Sequence, residues 1–297
     1  MKYAVASTLI TLGLLVSCKN GNTPENPVKT EITASGKAAM VPLSWIGKRV
    51  EKARTTLEKS EAGKVIWNAM EAHGGLATWY KNGALAFRFN YQPVEGTARD
   101  SYQIIDTWSN KAKHTSVGDS TAHFGWTGKT AWIQAVDSTA FAYDTKFWAL
   151  TPYYFLGQPF VLDGTGVHLE LMPQVIYKDK NHHVVKVTFA AGTGDAPDDY
   201  YILYISVESN QLKVIRYIVS YPEYFKEGGH APEKFMEVIG ETTVDGILFP
   251  TDYKTYWLTD DQQPGEYITK IEVSDISFKK ELPDDFFEVP TSAKVLE

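Results

Sequence analysis

The sequence predicts an α+β protein that is mainly β, in which N-terminal helices precede one large, curved antiparallel sheet. Apolar residues recur with a period near 3.6 before Ala84 and with a period of 2 after it. About twelve strand-like segments then follow one another through short connections, which is typical of antiparallel neighbours. Strands do not alternate with helices, and this order argues against a parallel sheet.

Two helices are predicted before the strands begin. The first has one apolar face, formed by Ile46, Val50, Ala53 and Leu57. Ser44 is its candidate N-cap, and Gly63 is expected to end or break it. A second apolar stripe consists of Val65, Ile66, Ala69, Met70 and His73. Gly74-Gly75 is the expected C-terminal stop of this second helix.

The strands are predicted from alternating apolar residues and intervening turn signals. They are 84–91, 101–108, 111–117, 121–126, 130–136, 174–177, 183–189, 200–207, 212–221, 234–244, 247–258 and 267–278. The segment 200–207 is apolar on both faces, so both faces must be covered. A sheet of about 11–12 strands curls, and helices on its concave side would cover one face. We expect a single domain over residues 43–297.

Residues 137–165 interrupt the strand pattern with a dense run of aromatic residues. These are Phe141, Tyr143, Phe147, Trp148, Tyr153, Tyr154, Phe155 and Phe160. Long stretches outside the regular elements of a compact domain are usually functional or disordered, and dense aromatics argue against disorder. Three hypotheses remain open for this segment: core packing, the mouth or lid of a cavity, and an exposed carbohydrate platform.

Composition narrows the classes of partner. The net charge is −7, which argues against nucleic acid because phosphate binding needs clustered Lys and Arg. The chain has 8 Trp, 17 Tyr and 14 Phe. This abundance predicts either a thick β core or an apolar or sugar-binding site. Cys18 is the only cysteine, so a disulfide within the chain is excluded.

Motifs for catalysis or metal binding are weak. Gly128-Lys129-Thr130 resembles the end of a phosphate-binding loop, but a strand rather than a helix follows it, so we predict a hairpin turn. His114 and His123 flank a hairpin and could hold a metal together with a carboxylate such as Asp119, although half-exposed strands often carry histidines. His73 is expected to cap its own helix. We therefore predict no catalytic residue, no metal and no cofactor.

The N-terminus has the layout of a secretory signal peptide, with a basic end and an apolar run from Ala4 to Val16 that is too short to span a bilayer. The run ends in Leu15-Val16-Ser17-Cys18, which resembles the lipobox of bacterial lipoproteins. The resemblance implies cleavage of residues 1–17 and acylation of Cys18. Because two or more acyl chains hold a protein stably on a membrane, we expect a lipid anchor followed by a flexible tether over residues 18–42. Lys19, in place of aspartate, favours the outer membrane of the cell envelope.

Several motifs resemble a family of exported bacterial lipoproteins with an Ala-His-Gly-Gly motif. They are Ala72-His73-Gly74-Gly75, the tyrosine-rich strand at 200–207, Asp245-Gly246 within 245–251, and Phe286–Pro290. More distantly, residues 61–290 resemble the LolA/LolB lipoprotein carriers. That resemblance implies an open half-barrel around a helical lid and an apolar cavity. A carrier of the LolA type is soluble, whereas the predicted anchor of this chain is closer to LolB.

These observations predict a membrane-anchored, monomeric lipoprotein that binds a lipid or another apolar small molecule without catalysis. The expected ligand-binding residues are Phe87, Phe89, Trp126, Trp132, Phe147, Trp148, Tyr153, Tyr154 and Phe155. One alternative is a structural lipoprotein with a filled core that binds a protein or glycan partner. Another is a cell-envelope hydrolase with His114, His123 and Asp119 as its first candidates. The volume of the interior distinguishes the first two hypotheses.

Overall fold

The computed structural model describes residues 37–38, 40–136, 139–191, 193, 196 and 198–296, which belong to one compact unit. The predicted signal peptide, Cys18 and most of the predicted tether lie outside the described residues. The last part of that tether does lie within them: Lys37–Ala38 forms a short strand, and Val41 packs against the core. Ordered structure therefore begins before residue 43. Among the described residues, no helix combines the length and the apolar character that crossing a bilayer requires.

The described residues form six helical elements. They are α1 (Leu43–Leu57), α2 (Glu61–Ala72), α3 (Leu76–Lys81), α4 (Thr145–Trp148), α5 (Thr151–Leu156) and a 3-10 helix (Phe160–Asp163). The N-cap of α1 is Pro42, two residues before Ser44, so the prediction of Ser44 as the N-cap was wrong. The aromatic segment supplies the last three elements.

The boundary between α1 and α2 lies at residues 58–60, so Gly63 does not end the first helix. Ser60 is the N-cap of α2, and its Oγ accepts a hydrogen bond from the backbone N–H of Gly63 at 3.0 Å. Gly63 lies in the first turn of α2, where a Cβ atom would overlap the carbonyl oxygen of Leu57. Glycine here allows the two helices to approach closely rather than stopping one of them.

The end of α2 confirms the predictions for His73 and the double glycine. The Nδ1 atom of His73 lies 2.7 Å from the carbonyl oxygen of Ala69, so the imidazole caps its own helix. Gly74 has a φ of +115°, and a Cβ atom there would overlap the carbonyl oxygen of Gly246. The backbone N–H of Leu248 also donates to the carbonyl oxygen of His73 at 2.9 Å. The Ala-His-Gly-Gly motif and the Asp-Gly hairpin therefore pack directly against each other.

The strands of the main sheet cover most of the remaining chain. They are β2 (Ala84–Pro93), β3 (Arg99–Ile105), β4 (Ala112–Ser116), β5 (His123–Trp126), β6 (Ala131–Gln134), β7 (Val167–Tyr177), β8 (Lys180–Phe189), β9 (Tyr201–Ser206), β10 (Leu212–Tyr217), β11 (Lys234–Val244), β12 (Ile247–Leu258), β13 (Pro264–Lys279) and β15 (Lys294–Leu296). Strands β1 (Lys37–Ala38) and β14 (Glu281–Leu282) form a separate pair.

The main sheet has thirteen strands in the order β15-β6-β5-β4-β3-β2-β13-β12-β11-β10-β9-β8-β7, and all neighbours are antiparallel. The predicted mainly β class, with a curved antiparallel half-barrel and helices on its concave side, is confirmed. The predicted hairpin at Gly128-Lys129 joins β5 to β6. Strand β7 begins at Val167, seven residues before the predicted start, and contains Pro173. The proline lies at a register shift between Met172 and Val175, where the pairing with β8 is interrupted.

The two faces of the sheet carry two cores of unequal size. The inner face holds the large core with the helices, and Phe87, Phe89 and Leu203 belong to it. The outer face holds a smaller cluster: Val184, Ile202, Tyr204, Val214 and Phe235. Adjacent residues of β9 therefore belong to opposite cores, as expected for a strand that is apolar on both faces.

Candidate functional site

A cavity of about 560 Å³ lies between the inner face of the sheet and the segment that contains α4, α5 and the 3-10 helix. The sheet contributes Trp126, Val167, Phe189, Tyr201 and Tyr217 to its wall. The helical segment contributes Phe147, Leu150, Thr151, Tyr153, Tyr154, Phe155, Phe160, Val161 and Asp163. Ligand pockets of proteins typically measure ~300–1,000 Å³ and have predominantly apolar and aromatic walls. Size and lining together make this the candidate site.

The aromatic segment 137–165 both packs in the core and lines the cavity. Trp79 of α3 stacks on Phe160 with ring centroids 4.6 Å apart, which attaches the 3-10 helix to the helical layer. Phe147, Tyr153 and Phe155 line the cavity. All eight aromatic residues of the segment are buried or half-buried. The hypothesis of an exposed carbohydrate platform was therefore wrong.

Five of the nine predicted ligand-binding residues lie on the cavity wall, and four do not. The five are Trp126, Phe147, Tyr153, Tyr154 and Phe155. Phe87 and Phe89 are fully buried on the inner face of β2, and the ring of Trp148 lies 6.3 Å from that of Phe89, so helix α4 packs over them. These three residues form packed core beneath α4 rather than cavity wall.

Trp132 faces the opposite side of the sheet from the cavity. It pairs with Gly125, whereas the neighbouring pair of Trp126 and Ala131 puts Trp126 on the inner face. A Cβ atom at Gly125 would overlap the indole of Trp132, so the glycine makes room for this ring on the outer face. Placing Trp132 in the cavity was wrong because the three consecutive apolar residues of β6 do not reveal which of them points inward.

The cavity wall contains one ion pair that links distant parts of the chain. Arg49 of α1 contacts Asp163 through two hydrogen bonds, Nε to Oδ2 at 2.6 Å and Nη2 to Oδ1 at 2.8 Å. The hydroxyl of Tyr80 donates to the same carboxylate at 2.8 Å. Asp163 raises the pKa of Arg49, and burial raises the pKa of Tyr80. These three residues all line the cavity, and they hold the helical segment against α1 and α3.

A second carboxylate lies on the wall. Asp199 accepts two hydrogen bonds from Ser220, one from its backbone N–H at 2.6 Å and one from its hydroxyl at 2.7 Å. Burial raises the pKa of Asp199, and the hydrogen bonds from Ser220 oppose this effect. The cavity wall thus combines aromatic rings with polar and charged residues. Among the latter, Arg49, Asp163 and Asp199 are engaged in contacts of their own.

His114 and His123 do not form the metal-binding or catalytic pair that the alternative hydrolase hypothesis requires. His114 lies opposite Phe124 and His123 lies opposite Thr115, so the two imidazoles project from opposite faces of the sheet. His114 is fully buried between the Ser101 hydroxyl and the carbonyl oxygen of Ala149. Burial lowers its pKa to about 4. Within the described part of the chain, no group of three potential metal ligands is present.

Sequence reasoning missed most of the wall that the sheet supplies. Tyr201 and Tyr217 face each other across β9 and β10, and Phe189 lies on the neighbouring strand. The period-2 pattern of these strands would have placed them on the inner face once that face was known. Arg49 and Asp163 were not found because their contact joins residues 114 positions apart.

No family model and no curated protein matches the sequence, but solved structures are similar to it. A putative outer membrane lipoprotein-sorting protein domain from Vibrio parahaemolyticus is 8% identical with a TM-score of 0.50, over 77% of this chain and 97% of that chain. A LolA superfamily protein from Nitrosomonas europaea is 11% identical with a TM-score of 0.48, over 76% and 96%. A DUF1329 family protein from Desulfovibrio piger is 10% identical with a TM-score of 0.46, over 82% and 97%. The likeness to the Vibrio domain confirms the predicted carrier-like resemblance at the level of fold.

Proposed function

We propose that this protein is a lipid-anchored protein of the cell envelope that binds a lipid or another apolar molecule in the inner-face cavity and does not act as an enzyme. The observation that carries the proposal is the aromatic cavity of about 560 Å³. A filled interior was the expectation of the alternative, partner-binding hypothesis. The fold shared with a lipoprotein-sorting domain of the cell envelope is consistent with the ligand-binding hypothesis.

The energetics of an apolar ligand need no charged or catalytic group. Each methylene buried contributes roughly 0.8 kcal/mol, so a chain of about fourteen carbons gains roughly 11 kcal/mol before the cost of association. Aromatic walls supply large contact area at little cost in side-chain entropy. The lining therefore suits a flexible acyl chain better than a polar metabolite, which would leave hydrogen bonds unmade.

Native mass spectrometry tests the proposal. The Cys18→Ser variant is exported behind a secretory signal peptide without a lipobox in place of residues 1–17. It lacks the predicted acylation site, so it can be purified without detergent. We expect a discrete bound mass that is released on denaturation and recovered in a lipid extract. A ligand-free mass, together with no uptake of added palmitate, would contradict ligand binding and favour the partner-binding hypothesis.

The anchor has its own test because it rests on Cys18 and its neighbours. Cells fed an alkyne-labelled fatty acid should label the wild-type protein and not the Cys18→Ser variant. The wild type should sediment with outer-membrane vesicles, and the variant should stay in the soluble envelope fraction. Equal labelling of both proteins would exclude Cys18 as the acylated residue.

A further inference from the structure

Two cations lie on the inner face of the sheet. Arg99 begins β3 and pairs with Tyr91, an inner-face residue of β2. Lys234 begins β11 and pairs with Tyr217, an inner-face residue of β10. Paired residues of an antiparallel sheet project from the same face, so both cationic side chains belong to the concave side. Both are half-buried.

Aromatic rings surround both cations. The guanidinium of Arg99 lies 4.8 Å from the ring centroid of Tyr91 and 4.7 Å from that of Trp148. The ammonium of Lys234 lies 5.4 Å from the ring of Tyr217 and 5.2 Å from that of Trp257. Such contacts favour a cation by roughly 0.5–2 kcal/mol each, which is less than the cost of removing it from water.

Neither cation has an anionic partner among the described residues. Within that part of the chain, none of the ion pairs closer than 4.0 Å includes Arg99 or Lys234, and neither side chain donates a hydrogen bond. The negative charge of Asp199 acts on Lys234 from beyond that distance, and Ser220 already occupies its carboxylate. Burial lowers the pKa of Lys234 to about 8, and the positive charge of Arg99 adds to this effect. A nearby anion would oppose both effects.

Unpartnered donors lie beside the two cations. Within the part of the chain that the structure describes, the indole N–H of Trp148 and the hydroxyl of Tyr143 are both buried without a hydrogen-bond partner, and each ring is within 6.0 Å of the Arg99 guanidinium. The hydroxyl of Thr255 is also buried and unpartnered, on the strand next to Lys234. Buried polar groups usually have partners, so several such donors near one place suggest an acceptor.

The cation pair adjoins the cavity. Tyr217, over which Lys234 lies, is part of the cavity wall, as is Asp199. The ring of Trp148 lies 6.4 Å from that of Phe147, another wall residue. Neither Arg99 nor Lys234 is itself part of the wall, so the end of a ligand whose chain occupies the cavity would reach them past Tyr217.

We infer that Arg99 and Lys234 form an anion-binding site that receives the carboxylate or phosphate head group of a single-chain amphiphile whose apolar chain fills the cavity. The inference rests on the proposed function and deepens it. Two cations flanked by further donors suit oxyanions with several acceptor atoms, which form charge-assisted hydrogen bonds. The aromatic surroundings exclude water and strengthen that attraction.

The test compares three probes of equal chain length on the full chain with Cys18→Ser: palmitate, hexadecyl phosphate and hexadecanol. Calorimetric titration should give an affinity at least about tenfold higher for one or both anions than for the neutral alcohol, because a charge-assisted hydrogen bond contributes that much. A preference for palmitate identifies a carboxylate, and one for hexadecyl phosphate identifies a phosphate. Equal affinity for all three would overturn this inference alone, whereas no binding of any probe would overturn the proposed function as well.

Substitutions test whether Arg99 and Lys234 cause the higher affinity for anionic probes. Arg99→Met combined with Lys234→Met should lower anion affinity about tenfold or more and leave hexadecanol affinity unchanged. Lys254→Met is the matched control because Lys254 is exposed and pairs with outward-facing Glu237. It should retain the full preference. A double variant that folds and still prefers the anions would overturn the assignment. If the double variant does not fold, the titration of the three probes against the protein with Arg99 and Lys234 intact remains the test.

Discussion

Arg49 and Asp163 form a two-point ion pair across the wall of the cavity, at 2.6 and 2.8 Å. The Asp163 side chain is only 4% exposed, whereas that of Arg49 is 31% exposed. The negative charge of the buried Asp163 carboxylate is therefore compensated by Arg49. The contact joins the first helix to the aromatic segment, so it couples the integrity of the helical layer to the shape of the cavity.

Arg49→Ala should destabilise the protein by about 3 kcal/mol, because breaking a buried pair leaves an uncompensated charge. Tyr80 retains one hydrogen bond to Asp163, which limits the loss. Urea denaturation measures the change in the free energy of unfolding. Arg54→Ala is the control, since Arg54 pairs with Glu58 on the exposed surface of the same helix and its loss should leave the free energy of unfolding nearly unchanged. Similar losses in the two variants would contradict this role for Asp163.

Two glycines in the helical layer should respond to alanine with opposite signs. Gly63→Ala places a Cβ atom against the carbonyl oxygen of Leu57, so the two helices must separate, at a cost of about 2 kcal/mol. Gly47 lies within α1 with no neighbour near its Cβ position. Gly47→Ala should therefore stabilise the protein by about 0.5–1 kcal/mol through helix propensity. Melting temperatures of the two variants that shift in the same direction would contradict the close helix contact.

His114 should make stability depend on pH between neutrality and about 4. Its pKa is lowered to about 4 by burial, whereas an unfolded histidine titrates near pH 6.5. The unfolded chain therefore binds the proton first as pH falls. The contribution of neutral His114 to the free energy of unfolding is fully present above about pH 6.5, and about 3 kcal/mol of it is lost as the pH falls toward 4.

The measurement is urea denaturation at a series of pH values for the wild type and His114→Gln. The variant is expected to be less stable at pH 7, since His114 bonds to Ser101 and Ala149, but its stability should change less over this pH range. His183→Gln, at a half-exposed histidine of β8, is the substitution control and should leave the stability at pH 7 nearly unchanged. An unchanged slope in His114→Gln would assign the pH dependence to other groups.

The sequence predicted the strands well where local signals are strong. Strands 234–244 and 247–258 coincide with the structure because Asp245-Gly246 is a turn that few other conformations accommodate. The start of β7 was missed because Pro173 interrupts an alternating pattern at a bulge. Local pattern shows that residues alternate but does not say which set faces the core.

The site was harder to predict than the fold because it depends on which face is inner and on distant contacts. Trp126 and Trp132 lie on two strands of one hairpin yet face opposite sides of the sheet. Arg99 and Lys234 carry no local signal either, because each stands at the start of a strand directly beside a carboxylate in the sequence. Only the register of β2 with β3 and of β10 with β11 places them on one surface.

Phe87 and Phe147 were both predicted to bind the ligand, but Phe87 lies in the packed core and Phe147 lies on the cavity wall. Phe87 is 1% exposed and packs against Phe89, so Phe87→Ala should cost about 3–5 kcal/mol. Phe147 is half-buried on the cavity wall, so Phe147→Ala should cost about 1 kcal/mol of stability. It should instead lower palmitate affinity about fivefold or more, since it removes apolar contact area from the ligand.

Urea denaturation and calorimetric titration with palmitate, done on the same preparations, distinguish the two roles. Ile176→Ala is the control because Ile176 is 73% exposed at the end of β7 and away from this cavity, and it should change neither quantity. For each variant, the loss of unfolding free energy is compared with the loss of palmitate affinity. If Phe87→Ala folds and loses palmitate affinity while Phe147→Ala keeps it, the ligand lies against β2 beneath α4, and the cavity assignment is wrong.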